Sequence, residues 1–103
     1  MNNELLQDIK DYLNISWQDE KIDKNIAGMI KRGMAYLKDV AGVKELDFEE
    51  ENNSRALLFD YVRYANSQAL EMFSINFQSE LLSLHLEYQA KALQEKKNEN
   101  KSS

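Results

Sequence analysis

No proline interrupts the 103 residues of the chain, and only three glycines do, so almost nothing in the sequence stops a helix once it has started. Leu, Ala, Glu, Lys and Gln are abundant, and no stretch alternates apolar with polar residues as a half-buried strand would. The apolar residues instead recur three and four apart. The fold class expected is therefore all-α: one small bundle of about four helices with a disordered C-terminal tail.

The segment from Glu4 to Leu13 gathers Leu5, Leu6, Ile9, Tyr12 and Leu13 on one face and reads as a short docking helix. Asn14 to Trp17 breaks it. Ser16 followed by Asp19 resembles a capping box, from which a second helix should run to about Ala41. Its packing stripe is Ile22, Ile26, Met29, Gly33, Tyr36, Leu37 and Val40. Lys21, Lys24, Lys31, Arg32, Lys38 and Asp39 fall away from the centre of that stripe. Gly33, inside the stripe, allows a second helix to come close, and Gly42 suits a left-handed helix end.

The connection from Val43 to Asn53 is acidic, with Leu46 and Phe48 expected to pin it to the core. Its carboxylates lack the spacing of a calcium loop and read better as complements to the positive end of the next helix. That third helix, about Ser54 to Phe73, carries Leu58, Val62, Ala65, Ala69 and Met72 as its central stripe, with Phe59, Leu70, Leu57, Tyr61 and Tyr64 on the shoulders. It reads as the spine of the domain. Ile26, Leu37, Leu58, Val62 and Ala65 are the expected core.

After a break near Ser74 to Asn76, a fourth helix should reach about Leu93. It has two apolar faces. Phe77, Leu81, Leu84 and Tyr88 share one, and Leu82, Leu86 and Leu93 lie nearly opposite. The second row is covered either by the first helix of the same chain or by a neighbouring chain, and Leu82, Leu86 and Leu93 are thus the candidate subunit interface. Residues 94–103 contain no apolar side chain to offset the entropy of ordering and are expected to form a flexible charged tail beyond the domain of residues 1–93.

Chemistry is harder to find. The chain has no cysteine and one histidine, His85, set among leucines and read as a packing or hydrogen-bonding residue. Phosphate loops, nucleophile elbows and paired metal-binding histidines are missing from the sequence, and Asp19 with Asp23 reads as a solvated pair. No catalytic residue, cofactor or metal site is expected. The formal net charge of −5 weakens any reading that needs a grip on a phosphate backbone, so Trp17 and the tyrosines are better read as core or interface anchors than as base-stacking platforms. Without a membrane-length apolar run or a basic N-terminal signal, the expectation is a soluble cytosolic protein.

Four blocks in order carry a family resemblance: DIKDYLNISWQDEKID (Asp8 to Asp23), IKRGMAYL (Ile30 to Leu37), RALLFDYVRYANSQALEMF (Arg55 to Phe73) and NFQSELLSL (Asn76 to Leu84). Together they resemble the head-tail connector, or adaptor, family of tailed bacteriophages. That resemblance implies a non-enzymatic subunit of a ring, commonly of about twelve copies, docked beneath the portal protein. Such a ring extends the DNA channel, which DNA crosses without specific binding, and offers a platform to the next head-completion or tail protein. The place implied is the virion neck, reached from the host cytoplasm during assembly. The resemblance also implies that the C-terminal part, here the fourth helix and the charged tail, reaches toward the portal, which makes Leu82, Leu86 and Leu93 a candidate portal interface as well. Two other classes compete: a bacterial helical protein-interaction module, and a small helical DNA-binding regulator, which would need an exposed recognition helix after a tight turn.

Overall fold

A computed structural model of the chain describes residues 3–101, with side chains described for 4–97. Five α-helices follow one another: α1 (Asn3–Tyr12), α2 (Glu20–Ala41), α3 (Asn53–Asn66), the single-turn α4 (Phe73–Asn76) and α5 (Gln78–Lys101), with a 3-10 turn at Leu70–Met72. No strand occurs among the described residues.

The helices stop where the backbone turns left-handed. Asn14, Gly42 and Gln68 have φ of 62°, 72° and 57°. At each, the same pair of bonds closes the last turn, as in Val43 N–H to the Lys38 carbonyl (3.0 Å) and Ala69 N–H to the Tyr64 carbonyl (2.9 Å). Gln68 explains the largest departure from the sequence expectation. The third helix ends at Asn66 and not near Phe73, so Ala69 and Met72 leave its stripe, and Met72 and Leu70 are exposed. Glutamine is a poor advertisement for a left-handed position, whereas Gly42 announces one. At the start of α2 the cap is Asp19, whose carboxylate accepts from the Lys21 and Ile22 amides; Ser16 takes no part in it. Asn52 caps α3 by accepting from the Arg55 amide at 2.9 Å.

α2 and α3 form the centre. Gly33 is buried between them, and a β-carbon there would come within 2.8 Å of both Leu58 Cδ1 and the Tyr61 ring. Ile26, Ile30, Leu37, Leu58 and Val62 fill the crossing, while Ala65 is only partly buried. Leu81 and Leu84 of α5 close it on one side, and Leu5 and Ile9 of α1 dock on the other. Phe48 is buried and Leu46 half-buried, so the acidic connection is pinned as expected. Between α3 and α5, Phe73 stacks on Phe77 (centroids 5.1 Å apart) and meets Tyr36, Tyr61 and Tyr64 edge-on, which fixes the direction in which α5 leaves.

Polar contacts hold α1 in place. Lys10 is 1% exposed, and its ammonium lies 2.7 Å from Asp23 Oδ1 on α2. Asp23 is therefore not half of a solvated acidic pair with Asp19, because its carboxylate turns inward to meet the buried Lys10. On the other side Arg55 of α3 donates to Asp8 Oδ2 (2.7 Å) and to the Phe48 carbonyl (2.9 Å), so one guanidinium ties α1, the acidic connection and α3 together. The Tyr12 hydroxyl donates to Asp60 Oδ1 at 2.7 Å; that bond, aided by partial burial, holds its pKa above the ordinary tyrosine value.

A buried ammonium that loses its only partner is costly, whereas removal of both charges is not. Asp23→Ala is expected to lower unfolding stability by about 3 kcal/mol, and the pair Lys10→Met with Asp23→Asn to recover most of that loss. Urea melts of the two variants beside the parent measure it; equal losses would show that the ion pair does not anchor α1.

Candidate assembly interface

α5 is the element with two apolar faces. Leu81 and Leu84 are buried and Phe77 and Tyr88 half-buried against α2 and α3, as their shared face demands. A turn of about 180° around the same helix places Leu82, Leu86 and Leu93 outward. They are 56%, 57% and 64% exposed. α1 packs only on α2 and α3 and makes no contact with α5, so the same-chain cover allowed by the sequence is not used.

The helix also outruns the domain. Beyond Tyr88 every described side chain, from Gln89 to Lys97, is exposed, and the helix continues past Leu93 to Lys101. Its end thus lies later than the sequence pattern suggested, because the Gln, Glu and Lys that follow Leu93 are good helix formers and no proline or glycine stops them. Ser102 and Ser103 of the expected flexible tail lie outside the described residues, as do the side chains of residues 98–101. The leucine row begins beside the core and finishes on this projecting arm. The molecule measures 56 × 28 × 18 Å, far longer in one direction than a compact bundle of this size needs.

His85 sits on the flank of the row. Its Nδ1 lies 2.9 Å from the Val40 carbonyl, which can only accept, so Nδ1 carries the proton and the ring caps the C-terminal end of α2. The bond is a tertiary one, from α5 to α2, and not local in the sequence. Lys91 pairs with Glu87 (3.2 Å) and lies over the Tyr88 ring, bracing the arm from its inner side.

Other apolar side chains are exposed away from α5. Trp17, in the turn before α2, is 55% exposed and so is not a core residue. Leu70, Met72 and Ile75 protrude from the knuckle between α3 and α5. The periodicity does not reveal this knuckle, since Leu70 and Met72 continue the apolar spacing of a helix that ends before them, at Asn66. Among the described residues no group of three His, Cys, Asp or Glu side chains could hold a metal ion, and no helix is long and apolar enough to cross a membrane.

A small helical chain that closes its core with one face of its last helix thus leaves a leucine row on the other face uncovered. The chain belongs to the phage connector protein family, whose model matches residues 5–97, from the first buried leucine of α1 to the arm of α5. No curated protein and no solved structure matches it.

Proposed function

We propose that the chain is a structural, non-enzymatic subunit of the ring that joins a phage head to its tail, docked beneath the portal and presenting a platform to the next neck protein. The observation that carries this reading is the uncovered row Leu82, Leu86 and Leu93, placed on the longest helix of a phage connector family member. Each of these leucines offers roughly 1.5–3 kcal/mol on full burial, repeated at every copy in a ring. The row continues onto the arm of α5, so the arm itself reaches the partner, either the portal or the adjoining subunit. DNA passing through such a ring should not be held by it, and a net charge of −5 suits that role.

Replacing Leu86 and Leu93 together by Ser removes apolar area that the isolated chain does not bury. Circular dichroism of the free variant should match the parent, with thermal stability within about 0.5 kcal/mol, the usual range for surface changes. Electron microscopy of particles made with the variant should show heads without the connector ring and without tails. Tailed, infectious particles of normal appearance would sink the proposal.

On the arm the described side chains from Gln94 to Lys97 are all exposed, and an unsupported helix end frays in water. We expect it to be mobile in the free subunit and ordered on its partner. Backbone 15N relaxation of the free protein checks this: order parameters for Gln94 to Lys97 well below those of Leu81 to Tyr88 are the predicted result, and equal values would contradict it.

A further inference from the structure

The outer face of α2 presents a second unmatched surface, and a charged one. Lys21, Lys24, Lys31, Arg32 and Lys38 point away from its buried stripe, and Lys44 follows at the helix end. None of these six cations forms an ion pair among the described residues, although Lys10, Arg55, Arg63 and Lys91 elsewhere all do. Arg32, Lys38 and Lys44 line one open groove with Ala35 and Gly42, where small residues leave room for another surface. In a chain of net charge −5, so much unpaired positive charge on one helix means that the rest of the surface is strongly acidic.

The complementary surface is on the same chain. Asp8 and Asp11 lie on the exposed side of α1, and the connection before α3 adds Glu45, Asp47, Glu50 and Glu51, all exposed. Arg55 joins these two segments into one face, because it binds Asp8 on α1 while its guanidinium also lies 3.4 Å from Glu51. Glu45 and Glu50 have no ion-pair partner among the described residues. Among the described residues no ion pair joins the cations of α2 and Lys44 to the carboxylates of α1 or of residues 45–51, so the two sets are not matched to each other within one molecule.

We propose that these two faces meet between copies: the basic outer face of α2 on one subunit docks against the acidic face of α1 and residues 45–51 on the next. Contacts between two unlike surfaces of identical chains are head-to-tail contacts, the kind that closes rings, whereas a two-fold dimer through either face would set like charges against each other. The inference rests on the ring reading above and names the surfaces that join neighbouring subunits, leaving the leucine row of α5 free for the portal. A nucleic acid is a poorer occupant of the groove, since Asp39 lines it beside the cations and the chain as a whole repels phosphate.

Zero-length cross-linking tests the contact directly. Equal amounts of 14N- and 15N-labelled protein are mixed at low ionic strength and treated with a carbodiimide, which joins an amine to a carboxylate only where they touch. Peptides that pair one light and one heavy half, linking Lys24, Lys31, Lys38 or Lys44 to Asp11, Glu45 or Glu50, are the expected products, and high salt should suppress them. Lys31→Glu with Arg32→Glu should reduce these links at least about tenfold, as should Glu45→Lys with Glu50→Lys. Mixing those two variants should restore the links, because each then presents the charge the other lacks. All four positions are exposed, so both variants are expected to fold, which circular dichroism checks.

Mixed-isotope links that are absent, that map to other surfaces, or that survive charge reversal would overturn the proposal. So would displacement of the links by a short DNA duplex at physiological salt, which would make α2 a DNA-facing surface. These changes leave Leu82, Leu86 and Leu93 untouched. Failure here with leucine-dependent ring assembly intact removes only this subunit contact, and failure of both removes the ring reading itself.

Discussion

The crossing of α2 and α3 at Gly33 is the constraint from which the remaining packing follows. With no side chain at that point, the Leu58 methyl and the Tyr61 ring sit where a β-carbon would be, and the two helices approach closely enough to bury Ile30, Leu37, Leu58 and Val62 together. α1 and α5 then have one pair of helices to pack on, from different sides, and neither touches the other. A bulkier residue at Gly33 would push α3 outward and, with it, the aromatic group around Phe73 that aims α5. The direction of the arm is therefore set by a contact deep in the core.

Much of this was legible in the residues, and the parts that were not share a cause. Periodicity located α1 and α2, the buried face of α5 and its opposite leucine row, because spacing along a helix maps directly to direction around it. Gly42 marked a helix end since glycine is the usual tenant of a left-handed position, but Gln68 adopts the same conformation without any such mark, so α3 reads as longer than it is. The buried charges were also hidden. Nothing local distinguishes Lys10 or Arg55 from the solvated lysines and arginines of α2; their burial depends on Asp23, Asp8 and the Phe48 carbonyl, which only the tertiary fold brings within reach. Periodicity could state that the second leucine row needs a cover but not which of two covers it has, since that depends on where α1 docks.

In the proposed ring, stability and assembly rest on different residues. The core is closed by residues that all face α2 and α3, and α1 is locked by paired charges that a free subunit satisfies internally. What remains unsatisfied is on the outside and falls into two kinds: an apolar row on a projecting helix, and faces of opposite charge on α1 with residues 45–51 and on α2. Apolar area supplies association energy and depends little on salt, whereas opposed charges set orientation and register and weaken as salt rises. On the proposed reading, a subunit equipped with both stays folded alone and assembles in one geometry.

The central claim is that the outward leucines of α5 are covered in the virion neck. A cryo-electron microscopy reconstruction of the neck of particles carrying this chain tests it most directly. The account predicts a ring of copies in which Leu82, Leu86 and Leu93 are each buried against the portal or a neighbouring subunit. A well-resolved ring in which all three remain in contact with solvent would contradict it.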